Sequence, residues 1–172
     1  MAALSTAQHR TLARLMDDLV PGDAPTPGAG EAGGAEYVEA LLAAFDHDPP
    51  RIWAGGPFSG RHGGAALFGD FLELSPWEAL AWRTRIEGWT SDYEAGLAAL
   101  GDDYGDLDGP TREQRRAAGG AEFVHLVFTH ACEALYGDPV YGANRDGAAW
   151  AAIDYPGDVQ PAGYTDAEVS AP

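Results

Sequence analysis

The apolar pattern of Ala121 to Tyr136 constrains this chain more than any other feature. At about 100° per residue, Phe123, Val124, Val127, Phe128, Ala131, Ala134 and Leu135 spread over about 140° of a helical surface. One neighbour cannot cover so wide a stripe, so the segment is expected to be a central helix with several others around it. Those others can be read off the sequence. Ser5 and Gln8 form a capping box ahead of Leu12, Leu15, Met16 and Leu19, and Pro21 ends the run. A helix over 35–45 presents Tyr37, Val38, Leu41, Leu42 and Phe45 for burial. Ser75 and Glu78 form a second capping box, with Pro76 at the first helical position, ahead of Trp77, Leu80, Trp82 and Ile86. Tyr93 to Leu100 reads as a further helix, weakened by Gly96. Thr111 and Gln114 mark a short one ending near Gly119, and one or two turns surround Ala148 to Ala152. No segment alternates as a strand would. The expected fold class is all-α: a compact bundle of about five to six helices with long Pro/Gly-rich loops. It forms a single domain over the 172 residues, with an irregular C-terminal segment over 136–172.

Charge narrows the partners. The chain carries 27 acidic and 10 basic residues, a formal net charge of −17, and every basic residue is arginine. Nucleic acid and anionic membrane surfaces bind mainly through cationic side chains, so neither is an expected partner. The one cysteine, Cys132, precludes an intrachain disulfide. No apolar run approaches the ~20 residues that span a membrane, so no direct insertion is expected. The N-terminus shows no signal-peptide pattern, and as written the expected location is cytoplasmic. A removed presequence would make a periplasmic or membrane-associated complex the expectation instead.

Several motifs have the spacing of a functional site without its chemistry. Gly28-Ala29-Gly30-Glu31-Ala32-Gly33 matches the dinucleotide-binding pattern, but a helix and prolines precede it where that site needs a strand. Gly55 to Gly60 has Walker A spacing, yet Arg61 and His62 replace the lysine and hydroxyl that bind phosphate and magnesium. Asp102, Asp103, Asp106 and Asp108 before Gly109 resemble a calcium loop whose first and last ligand positions fall on Tyr104 and Arg115. His125 and His130 point about 140° apart on one helix, and His130 and Cys132 about 160° apart, so neither pair binds one ion. His130 is expected to be a packed, hydrogen-bonded core histidine, and Cys132 a small core residue. No constellation here specifies a catalytic centre, a cofactor site or a metal site on this chain.

The densest composition lies near the C-terminus. Asp138-Pro139-Val140-Tyr141-Gly142-Ala143-Asn144-Arg145-Asp146-Gly147 leads to Trp150 and Tyr155-Pro156-Gly157. Asn144 is placed to cap the short helix containing Trp150. The segment reads either as an ordered lid over the core or as a recognition surface, since aromatics and arginine on a rigid loop are favoured interface anchors.

These residues resemble the signature of the gluconate 2-dehydrogenase subunit 3 family: a Pro-x-Tyr-Gly-Gly-Asn run, a tryptophan, and an aromatic-Pro-Gly turn. Pro161-Ala162-Gly163-Tyr164-Thr165 resembles the family's tail. Leu19-Val20-Pro21-Gly22-Asp23, Pro27-Gly28-Ala29, the helix with Tyr37, and Ala95-Gly96-Leu97-Ala98-Ala99-Leu100 are similar to its earlier segments. Ala143 stands where the family favours a second glycine, which would strain a backbone needing positive φ there. The resemblance implies a non-catalytic small subunit, with no cofactor of its own. Its partner would be a large FAD-dependent dehydrogenase of the glucose–methanol–choline type that oxidises a sugar or sugar acid. Some such complexes include a cytochrome subunit. The small subunit would stabilise the large one or help it mature. Expected contact residues are Pro139, Tyr141, Gly142, Asn144, Arg145, Trp150, Tyr155 and Pro156, with Trp53 and Phe58 from the long loop over 46–64. The alternative is a stand-alone helical protein that binds a small ligand or metal through His9, His47, His62, His125 and His130.

Overall fold

A computed structural model describes residues 4–55 and 72–156. Six α-helices are present among them: α1 (Thr6–Leu19), α2 (Gly34–Leu42), α3 (Pro76–Leu100), α4 (Gly109–Ala118), α5 (Ala121–Tyr136) and α6 (Ala148–Ala152). Both capping boxes form. The Ser5 hydroxyl accepts from the Gln8 N–H at 3.1 Å while Gln8 Oε1 accepts from the Ser5 N–H at 2.9 Å. Ser75 and Glu78 reciprocate in the same way at the start of α3. These bonds satisfy helix-end donors that would otherwise lack partners.

The all-α expectation holds apart from a small antiparallel ribbon, β1 (Trp53–Gly55) with β2 (Leu72–Glu73), where Trp53 faces Glu73 and Gly55 faces Leu72. Strands of three and two residues are too short for alternation to register in a sequence. Two other boundaries differ from expectation. The helix over 35–45 ends at Leu42 and continues as a 3₁₀ turn, Ala44–Asp46. The cap of α4 is Asp108, whose Oδ1 accepts from the Thr111 N–H at 2.8 Å, so Thr111 lies in the first turn and does not cap it.

The largest difference concerns α3. The two helices expected around Ile86 and Tyr93 are one 25-residue helix. Ile86, Tyr93, Gly96, Leu97 and Leu100 are buried along it, with Trp89 packed at the core's edge. A glycine in a helix interior costs about 1 kcal/mol, less than such a run of packed side chains contributes. The exposed Gly88 therefore leaves the helix intact.

The core forms where α1, α2, α3 and α5 meet. Leu12, Leu15 and Met16 of α1, Val38 and Leu42 of α2, Leu97 and Leu100 of α3, and Val127, Ala131 and Leu135 of α5 are almost fully buried. Helix α5 packs on α1, α2, α3 and α6, the several neighbours its wide stripe demands. Its buried face is rotated slightly from the expected one: His130 lies inside, and Phe128, at the stripe's edge, is 43% exposed. The His130 ring stacks on Tyr93, with Nδ1 2.9 Å from the phenol oxygen, and meets Trp89 and Tyr37 edge-on. Cys132 is a free thiol, only half-buried, so it is not the core residue expected.

The glycine-rich run after α1 is a packing device. Asp17 Oδ1 accepts from the N–H groups of Gly30 and Glu31 at 2.8 and 3.1 Å. A Cβ on Gly30 would lie 2.0 Å from the carbonyl oxygen of Ala13. The loop thus lies directly on α1, a contact only glycine permits.

Two predictions test this packing. A Cβ on Gly96 would sit 2.4 Å from the Phe123 ring, so Gly96→Ala should destabilise by about 1–3 kcal/mol despite alanine's better helix propensity. Urea denaturation measures this, and a stabilised variant would contradict the contact. Burial pushes the His130 imidazole down to about 4. The unfolded chain then takes up a proton near pH 6.5 that the folded chain refuses until about pH 4. Stability should therefore fall as pH drops through this window, by about 3 kcal/mol from this group at pH 4. His130→Gln should flatten that part of the pH–stability curve.

Candidate partner-binding site

The C-terminal motif divides into residues that hold and residues that face outward. Asn144 is fully buried. Its Nδ2 donates to the Gly137 carbonyl at 3.0 Å, and its Oδ1 accepts from the Ala149 N–H at 3.0 Å. One side chain thus joins the end of α5 to the first turn of α6. Its backbone is left-handed, φ 48° and ψ 52°, a conformation asparagine tolerates better than most residues. Gly142 has φ 95°, whereas Ala143 lies outside the positive-φ region, so the departure from the family pattern at 143 brings no backbone strain. Trp150 is 4% exposed, and its Nε1–H donates to the Tyr136 carbonyl at 2.6 Å, occupying an otherwise open helix-end acceptor. Tyr155 packs edge-on against Trp150, with ring centroids 5.0 Å apart. Asn144 and Trp150 were expected to be contact residues. Both are buried with these hydrogen bonds turned inward; Asn144 accepts from an N–H in the first turn of α6, whose N-cap residue is Gly147.

Arg145 was expected to be a contact residue. It pairs with Glu36 of α2 at 2.7 Å, and its guanidinium lies about 3.4 Å from where a Cβ on Gly33 would stand. It clamps the motif onto the start of α2. Pro139 is half-buried, and Tyr141, Tyr155 and Pro156 are exposed. Phe58 and His62 lie outside the described residues.

The clamp brings distant segments together. Tyr141 and Gly142 of the motif, Trp53 of β1, Tyr37 and Leu41 of α2, and Trp82 of α3 line one groove of about 370 Å³, together with Ala40, Arg51 and Ile52. Trp53 and Tyr141, candidates from different regions of the sequence, thus share one site. Sequence reasoning missed Tyr37, Arg51 and Trp82 as its walls. The available signal was that α3 carries more apolar side chains than one face can bury. Tyr37 donates to Glu133 Oε2 at 3.1 Å, and burial followed by the Glu133 carboxylate holds its phenol well above the usual range, so it stays neutral.

Among the described residues, the histidines of the alternative hypothesis are not assembled. His9 lies 3.8 and 3.7 Å from Glu36 and Glu39, His47 and His125 are exposed, and His130 is in the core. Among the described residues no three His, Cys, Asp or Glu side chains converge on a metal site. Burial and then Glu133 raise the pKa of the Cys132 thiol, which disfavours the reactive thiolate. No helix among the described residues is long and apolar enough to cross a membrane.

The family model for gluconate 2-dehydrogenase subunit 3 matches residues 6–157. The chain belongs to that family. No curated protein and no solved structure matches it. Family membership makes this chain a subunit of a multi-subunit dehydrogenase, and a partner subunit is thereby implied. In this member of the family, the aromatic-lined groove brings Tyr141 and Gly142 together with Tyr37 and Trp82 of the helices.

The motif's framework predicts a graded mutational response. Asn144→Ala removes both hydrogen bonds and strains the backbone, and should cost about 2–4 kcal/mol. Asn144→Gly keeps the left-handed backbone and should recover about 1 kcal/mol of that loss. Thermal unfolding of the two variants checks the order.

Proposed function

We propose that this chain is a non-catalytic subunit that binds a large FAD-dependent dehydrogenase of the glucose–methanol–choline type and stabilises it or aids its maturation. FAD belongs to the partner in this proposal, and a cytochrome subunit is a compatible third member. The observation that carries it is the groove itself: an aromatic surface built on rigid elements, partly from the family's signature segment. Tyrosine, tryptophan and arginine are the side chains from which interface anchors are most often made. The ionisable groups with strongly shifted proton affinities, Tyr37, Tyr93, Tyr104 and His130, are explained by packing and by hydrogen bonds within the fold.

The mechanism is linkage. A partner that binds the folded large subunit and not its unfolded chain lowers the population open to aggregation or proteolysis. Producing the large subunit with and without this chain tests the idea. The soluble, flavin-loaded enzyme should rise several-fold when the two are made together and should co-purify with the small subunit. Tyr141→Ala, at an exposed groove position, should reduce that gain while the small subunit itself stays folded, as its circular dichroism would show. Equal yields with and without the chain, and no co-purification, would refute the proposal.

A further inference from the structure

The arginines are unevenly engaged. Arg14, Arg112, Arg115, Arg116 and Arg145 each pair with a carboxylate. Of the others, Arg51 lines the groove, and Arg83 and Arg85 flank its lining residue Trp82 along α3; all three are exposed and have no carboxylate partner among the described residues. The two on α3 are held by aromatic rings instead. Arg83 lies 4.4 Å from the centroid of Phe45, and Arg85 lies 4.7 Å from that of Trp82. At about 100° per residue they emerge on either side of Trp82, at about +100° and −60°. A guanidinium stacked on a ring keeps its in-plane N–H donors available, and those donors match a carboxylate in a bidentate fork. In a chain of net charge −17, internal carboxylates to pair with these cations are plentiful. One such cation on the lining and two flanking Trp82 make this side of the groove complementary to negative charge.

Resting on the function proposed above, we infer that this groove receives an acidic segment of the large subunit. An aromatic or aliphatic side chain of that segment enters between Trp53 and Trp82, and flanking Asp or Glu residues meet Arg83 and Arg85. The apolar anchor supplies affinity. The carboxylates set the register across α3 and speed an encounter that the chain's overall charge would otherwise oppose.

The test uses the full chain and the purified large subunit. Wild-type protein should bind with an association rate that falls as salt is raised. Arg83→Glu/Arg85→Glu should lower that rate at least tenfold and lose or invert its salt dependence, while its melting temperature stays near wild type. Trp77→Ser, on the opposite side of α3 from Trp82 and 80% exposed, should bind as wild type. Hydrogen exchange on the large subunit should show a protected segment in which Asp or Glu flanks an apolar residue. Placing lysine at those acidic positions should restore binding to the charge-reversed variant. Wild-type binding by Arg83→Glu/Arg85→Glu, or a protected segment without acidic residues, overturns the inference and leaves the functional proposal standing. Failure of the wild-type chain to bind the large subunit overturns both.

Discussion

The stacked, hydrogen-bonded pair of Tyr93 and His130 joins α3 to α5 at the centre of an aromatic cluster. Two of the groove's helical walls extend outward from it. Phe123 meets Tyr93 edge-on, and Trp89 and Tyr37 meet the His130 ring in the same way. Trp82 in turn packs edge-on against Trp89. The two helical walls of the groove, Tyr37 and Trp82, are therefore outer members of a cluster whose middle is buried. Aromatic pairs of this kind contribute about 0.5–1.5 kcal/mol each beyond simple burial, and they fix ring orientation as well. A neutral imidazole is required at the centre, because a charged ring there would be desolvated without a counter-charge.

Charge is organised by the same economy of contacts. Asp18 on α1 accepts from Arg14, from Arg112 on α4 and from the Tyr104 hydroxyl, at 3.1, 2.8 and 3.0 Å. One carboxylate therefore ties α1 to α4 and to the turn ahead of it. Asp103 with Arg115 and Glu113 with Arg116 belong to the same end of the chain's fold. The acidic run that resembled a calcium loop is built into this network: Asp108 caps α4 and Asp103 takes an arginine. Pairing is thus concentrated around α4, and the cations on α3 are held by aromatic rings. The contrast between these two solutions on neighbouring helices gives α3 its different surface.

Local signals in the sequence were legible where the governing physics is local. The capping boxes at Ser5 and Ser75, the proline after α1 and the wide stripe of α5 each act within a few residues, and each element formed as expected. Continuity of α3 was not legible, because the helix survives Gly88 and Gly96 only through packing on distant elements. For the ribbon at Trp53, two short strands leave no periodic trace. The groove was half legible: the aromatic composition of the motif marked Tyr141, but its meeting with Tyr37 and Trp82 is a tertiary contact, seen also in the Arg145–Glu36 pair between residues 109 positions apart, and no local pattern encodes it. The family signature carried information that spacing did not, because it identified the chain before any contact was visible.

The signature also conflates two kinds of residue that the fold separates. Asn144 and Trp150 use their hydrogen-bonding groups inward, on Gly137, Ala149 and Tyr136. Tyr141 and Gly142, a few positions earlier, line the groove. A rigid loop is what allows this division, since a side chain displayed from a mobile backbone loses entropy on binding that a held one has already lost. Asparagine suits the holding position for three reasons at once: it tolerates the left-handed backbone, donates to one helix end and accepts from the next. Aspartate would lose the donor and bury a charge, and glycine would lose both hydrogen bonds. That combination accounts for the placement of the chain's single asparagine at the junction of α5 and α6, two residues beyond the surface the motif builds.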